Sequence, residues 1–115
     1  MEVIAGRVED IPPGTSVLLD VGRFGIGVFN WKGKFVALNN YCPHAGAPVC
    51  RGRVTGTTSA SEPYAPVWEH DGDVLRCPWH GWEFWLETGK TLAGPPRAIK
   101  AYPVHVRDGL VIVDA

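Results

Sequence analysis

Two short stretches carry the residues of this chain that could do chemistry. One is Cys42-Pro43-His44 with Gly46 behind it; the other is Cys77-Pro78-Trp79-His80 with Gly81 behind it. Each supplies one thiol and one imidazole at close spacing. Thiolates are soft ligands and neutral imidazoles borderline, so a mixed set of four favours zinc or an iron–sulfur centre over magnesium or calcium. A zinc finger places its two cysteines together and its two histidines together, usually with a helix carrying the histidines. Here each loop holds one of each, in segments that read as turns between strands. That division suits a binuclear centre in which one iron takes both cysteines, the other takes both histidines, and two sulfides bridge them. A single structural zinc held by the same four side chains is the alternative.

The rest of the chain must position these loops. At 115 residues, 45% hydrophobic and 20% charged, it has the size and composition of one globular domain. Fourteen Gly and ten Pro point to short strands joined by turns. A net charge of -1, with Arg and Lys scattered, leaves no nucleic-acid footprint. No apolar run approaches the roughly 20 residues of a membrane span. The start, Met1 to Arg7, reads as a strand and lacks a basic segment followed by an apolar one, so no secretory signal is expected. Three cysteines, two of them in the motifs, leave Cys50 alone. That speaks against a disulfide framework and suits a reducing cytoplasm.

Strands are expected at Val3 to Val8, Ser16 to Val21, Phe24 to Trp31 (with Phe24, Ile26 and Val28 on one face) and Lys34 to Asn40. Lys32-Gly33 is a hairpin turn, and to this point the chain reads as a β-meander. Thr55 to Pro63 is a polar stretch expected as an exposed excursion, followed by a short strand at Tyr64 to His70 and a turn at Asp71-Gly72. Thr88-Gly89-Lys90 is another turn. Ile99 to Arg107 and Leu110 to Val113 form a closing hairpin about Asp108-Gly109. No helix and no repeat is evident. The fold class is all-β, made of small antiparallel sheets. Residues 1–40 and 98–115 are read as a basal β-scaffold and 41–97 as an inserted metal-binding lobe, within a single domain 1–115.

With both motifs in view, the chain resembles the Rieske iron–sulfur proteins. Cys42-Pro43-His44-Ala45-Gly46 is similar to that family's first cluster loop and Cys77-Pro78-Trp79-His80-Gly81-Trp82 to its second. Gly94-Pro95-Pro96 resembles the proline loop that covers the cluster from a third side. The resemblance implies a Rieske [2Fe-2S] cluster, with Cys42 and Cys77 on the inner iron and His44 and His80 on the outer one. High-potential relatives in respiratory chains add two cysteines that form a disulfide between the loops; Ala47 and Trp79 occupy those positions here. Those relatives also place serine and tyrosine hydroxyls near the cluster sulfurs, where this chain has Trp82 and Phe84. Hydrogen bonds to sulfur stabilise the added electron. Their loss is expected to set the potential in the lower half of the family's range of roughly -150 to +300 mV. The ligand imidazoles can take up protons on reduction, so the potential is expected to fall as pH rises. One departure stands out: Ala45 to Arg76 separate the two ligand pairs, a longer stretch than the family usually has. The excess falls in the Thr55 to Trp68 region, and a surface insertion there adds little closure cost.

Other chemistry-bearing residues have plainer readings. Cys50 is expected to be a small buried filler, His70 a solvated turn residue and His105 a surface or half-buried strand residue. Trp79, Trp82, Phe84 and Trp85 are read as packing around the loops, except that Trp79, between two ligands, is expected to be exposed and to contact a redox partner. The resemblance implies a one-electron ferredoxin like those of aromatic-ring dioxygenase systems. It would take electrons from a flavin-dependent NAD(P)H reductase and pass them to a terminal oxygenase or other redox enzyme, without being catalytic alone. The alternative is a small subunit of a multisubunit oxidoreductase such as a nitrite reductase, which an exposed hydrophobic strip at Tyr64 to Trp68 would favour.

Overall fold

The computed structural model describes residues 1–43, 46–62, 65–79, 81–92 and 96–115, with the backbone alone at 58–62 and 65–69. Among the described residues, ten strands form three antiparallel sheets. The first sheet joins β1 (Glu2–Arg7), β10 (Leu110–Asp114) and β9 (Val104–Arg107). The second runs β2 (Ser16–Leu19), β3 (Ile26–Trp31), β4 (Lys34–Asn39) and β8 (Ala101–Tyr102), in that order. The third is β5 (Arg53–Glu62), β6 (Ala65–Arg76) and β7 (Glu83–Trp85). Among the described residues there is no α-helix, only 3-10 turns at Val8–Asp10 and Val49–Arg51. None has a helix long and apolar enough to cross a membrane.

The central strands of the middle sheet, β3 and β4, are buried on both faces, and the period of two along them explains how. Ile26 and Val28 of β3 and Ala37 of β4 pack with Val111 and Val113 of the first sheet. Phe29, Val36 and Leu38 point the other way and pack with Leu75 and Phe84 of the third sheet. The third sheet's cluster also contains Cys42 and Cys77. A continuous apolar run such as Ile26 to Phe29 is therefore what a central strand requires, rather than strict alternation.

Several expectations from sequence are corrected. The opening strands are not one meander, because β1 pairs with β10 at the far end of the chain, from Glu2 opposite Asp114 to Arg7 opposite Leu110. Phe24 precedes β3 in a turn and is exposed, while Ile26 and Val28 do share a face. Ile99 to Arg107 is broken at Pro103, and its two halves join different sheets, β8 against β4 and β9 against β10. Proline has no amide hydrogen to continue a ladder, so it marks the crossing point. The polar stretch from Thr55 is strand, not excursion: β5 and β6 form a long hairpin whose pairing reaches Glu62 opposite Ala65. Threonines suit a strand even where the run is polar.

Asp71-Gly72 does turn the chain, but as a bulge within β6. Thr55 faces Val74 whereas Thr57 faces Glu69, so residues 70–73 stand against Gly56 alone. His70 and Gly72 take positive φ values of 56° and 82° to accommodate it. The bulge brings Asp73 to the tip of the β3–β4 hairpin. There its carboxylate accepts hydrogen bonds from Trp31 Nε1 at 2.8 Å and Lys32 Nζ at 2.7 Å. His70 Nδ1 lies 3.5 Å from the other carboxylate oxygen. His70 is exposed, as expected, and its ring also packs edge-on against Trp85. The Lys32 and Trp31 hydrogen bonds hold the Asp73 carboxyl below its usual range.

Candidate metal centre

The two cysteine loops leave the sheets at different points and share one local design. The first follows β4; the second follows β6 and leads into β7. The Cys42 amide donates to the Ala47 carbonyl at 2.8 Å, and the Cys77 amide to the Trp82 carbonyl at 2.8 Å. In both, the glycine four residues after the cysteine takes a positive φ, 74° at Gly46 and 66° at Gly81. Both positions need glycine for that turn. Gly46 has a further reason, since a Cβ there would stand 3.0 Å from the Tyr41 ring.

This closure turns each cysteine inward. Cys42 and Cys77 are 0% and 2% exposed, within the apolar cluster that contains Leu38, Ala47, Val49, Leu75 and Phe84. Both are free thiols, and that of Cys42 lies close enough to Cys77 to act on its ionisation. Burial pushes the Cys77 thiol up to about 11; the Trp79 amide hydrogen aimed at its sulfur opposes this, and the Cys42 thiol adds to it. Two buried thiols gathered in one apolar cluster suit a site where a cation takes the place of the protons. Were Cys77 to hold a metal, the Trp79 amide would be placed to donate a hydrogen bond to its sulfur. The donor chemistry of this pair fits the cysteine side of an iron–sulfur centre.

His44 and His80, the other two expected ligands, lie outside the described residues, as do Ala45 and the Gly94-Pro95 part of the proline loop. The Tyr64 to Trp68 strip also falls outside what is described of side chains. Cys50 is buried as expected. Its thiol donates to the Leu38 carbonyl at 3.4 Å, and burial pushes it up to about 12. Cys50 also packs so closely on β3 that a Cβ at Gly27 would stand 2.6 Å from its sulfur. His105 sits on β9 and pairs with Glu2 at 3.2 Å, a half-exposed strand residue. Ala47 is buried and no disulfide links the loops, all three cysteines being free. Phe84 is fully buried and Trp82 packs against the same cluster, while Trp79 is 50% exposed.

Sequence reasoning missed Asn40, a buried polar side chain at the end of β4. Its Oδ1 accepts the Cys50 amide at 2.9 Å and so ties the strand end to the 3-10 turn beyond the first loop. An asparagine beside a ligand loop is too common to flag from sequence.

Comparison with known proteins bears on the same site. Residues 1–103 match the Rieske [2Fe-2S] domain. The 3-phenylpropionate/cinnamic acid dioxygenase ferredoxin subunit of Escherichia coli (strain K12) is 34% identical over 113 residues, covering 97% of this chain and 92% of that protein. The subunit of the same name from Shigella flexneri serotype 5b (strain 8401) is also 34% identical over the same shares. Among solved structures, the Sphingomonas yanoikuyae B1 ferredoxin superposes with a TM-score of 0.72 at 26% identity, covering 100% of this chain and 99% of that one. A chain in the complex of reduced oxygenase and oxidized ferredoxin in carbazole 1,9a-dioxygenase gives a TM-score of 0.74 at 26% identity, covering 97% and 91%. This chain belongs to the Rieske [2Fe-2S] family, whose cofactor is a [2Fe-2S] cluster.

Proposed function

We propose that this chain is a one-electron carrier whose cluster is held by Cys42, His44, Cys77 and His80, and that it serves an aromatic-ring dioxygenase system. Its electrons come from a flavin-dependent NAD(P)H reductase and go to a terminal oxygenase. The observation that carries this reading is the pair of free, buried, neighbouring thiols on two loops of the same hydrogen-bonded design. The nearly full-length similarity to dioxygenase ferredoxin subunits supports the choice of system. So does the likeness to a chain of an oxygenase–ferredoxin complex.

When bound, the [2Fe-2S] cluster supplies reversible one-electron chemistry. The chain's own residues supply a dry seat and a route to a partner. Ala47, Leu75 and Phe84 exclude water around the thiols, and the Trp79 amide donates to the Cys77 sulfur. Phe84 offers no hydroxyl to a sulfur, in keeping with a potential in the lower half of the family's range. The chain divides into a scaffold (1–40 and 98–115) and a cluster-binding lobe (41–97). In this reading it works in the cytoplasm and passes on electrons without being catalytic alone, as the similarity to ferredoxin subunits of dioxygenases supports.

Stopped-flow mixing tests the relay. The purified chain should be reduced by NADH only when a dioxygenase-type flavin reductase is present. It should then be reoxidised on adding the matching oxygenase with its aromatic substrate and oxygen. A chain that no such reductase reduces, although dithionite does, would remove this reading.

A further inference from the structure

Beside the second cysteine loop the structure opens a groove of about 550 Å³, walled by Arg51, Arg53 and Arg76 and reaching Gly52, Cys77 and Pro78. Arg53 and Arg76 stand directly opposite each other on β5 and β6. Directly opposed residues of an antiparallel pair share a face, and like charges there are destabilising. Glu83, opposite Arg76 on β7, relieves only part of this: its carboxylate takes Arg76 at 3.3 Å and Thr57 Oγ1 at 3.2 Å. Arg51 and Arg53 are exposed and form no ion pair among the described residues. Three guanidinium groups and one carboxylate thus gather in a chain that otherwise has an acidic balance, with net charge -1.

The crowding is built in at the backbone. Gly52 has an ordinary φ of -72°, yet a Cβ there would stand 1.9 Å from the Arg76 carbonyl oxygen. Only a residue without a side chain lets the Val49–Arg51 turn lie this close to β6, which is what brings Arg51 to the other two arginines. Guanidinium groups bind carboxylates in a two-pronged geometry that an ammonium cannot reproduce. Nucleic acid is a poor fit, because the remaining basic residues do not continue the patch into a stripe.

We propose that this arginine groove receives clustered Asp and Glu carboxylates on the surface of a redox partner protein and so steers that partner to the second cysteine loop. The inference rests on the electron-carrier reading and deepens it by giving the chemistry of the partner's face. Arg53 and Arg76 tolerate each other because the partner supplies the missing counter-charge. The attraction is screened by salt, with a Debye length of about 8 Å at physiological ionic strength and about 3 Å at 1 M.

The probe is a carboxylate-terminated monolayer on gold, on which coverage of the iron-loaded protein is read by surface plasmon resonance and its one-electron wave by voltammetry. The parent protein should bind in low salt and be released by high salt. Arg51→Gln/Arg53→Gln should lower coverage about tenfold, the combined effect of two exposed charge pairs. Glu83→Gln, which frees Arg76, should raise it about twofold. Arg7→Gln/Arg107→Gln removes the same charge from the β1–β10–β9 sheet and should leave coverage near the parent's. Equal losses in the two double variants, or equal binding to an amine-terminated monolayer, would overturn the proposal. So would tighter binding to a single-stranded oligonucleotide than to the carboxylate surface. Normal coverage without any voltammetric wave would overturn the electron-carrier reading, and with it the redox role given to the partner.

Discussion

The side-chain oxygen of Asn40 accepts the backbone amide of Cys50 at 2.9 Å, and both residues are buried. This bond fixes the distance between the end of β4 and the Val49–Arg51 turn, with Cys42 and its loop in between. Asn40→Ala leaves the Cys50 amide buried without a partner, which costs about 1–3 kcal/mol. The expected outcome is a lower urea midpoint by that amount, together with less iron retained per chain. An unchanged midpoint would show that water satisfies the amide equally well.

Cys50 gives an alkaline prediction that does not involve the ligand thiols. Its thiol has an ordinary pKa of 9.0 and is pushed up to about 12 in the fold by burial. The folded chain keeps this proton over a range in which the unfolded chain releases it. The stability it contributes is therefore complete below pH 9.0 and is lost as pH rises towards about 12. Urea midpoints followed through that window should fall more steeply for the parent than for Cys50→Ala. In the native protein at neutral pH, iodoacetamide should leave Cys50 unmodified, as mass spectrometry can show.

At the acid end, Asp73 behaves in the opposite sense. Its folded pKa is lowered from 3.8, first by the Lys32 hydrogen bond and then by that from Trp31. The stability it contributes is present above 3.8 and is lost as pH falls through the lowered value. Asp73→Asn is expected to destabilise the protein by about 1–2 kcal/mol at neutral pH and to flatten the acid limb. Loosening of the β6 bulge should appear as faster amide exchange at residues 70–73.

Trp79 projects from the second loop with half its surface exposed while its amide donates to the Cys77 sulfur. Trp79→Ala removes the side chain but keeps the amide. Partner-dependent turnover should then fall about tenfold while the midpoint potential moves little. A large shift in potential with turnover preserved would instead assign the indole to the cluster's surroundings.

Much of the site could be read from the chain because its chemistry is local. Two Cys-Pro motifs with glycine four residues after each cysteine carry their own turns, and the structure places Cys42 and Cys77 together in the core. Lys32-Gly33 and Asp108-Gly109 were legible for the same reason, each dipeptide taking the two positive φ values of a tight hairpin. What escaped was non-local. Nothing in Glu2 to Arg7 says that its partner is Leu110 to Asp114, and Pro103 does not announce that the chain changes sheets there. The Thr55 stretch looked like loop because strand pairing, not hydrophobicity, holds it, and its partner lies across a bulge at residues 70–73. The arginine groove needs the register of β5 on β6 before Arg53 and Arg76 become neighbours.

The central claim is that the two thiols hold one side of a binuclear iron centre whose other side is held by His44 and His80. Iron and acid-labile sulfide analysis of the purified chain, joined to EPR of its reduced form, tests this most directly. The account predicts a red-brown protein with iron and sulfide in equal amounts and a reduced signal whose average g lies below the free-electron value. It also predicts that signal's loss in Cys42→Ser and its replacement in His80→Cys by that of an all-sulfur pattern. A colourless protein carrying one zinc and no sulfide, or a signal indifferent to both substitutions, would contradict it.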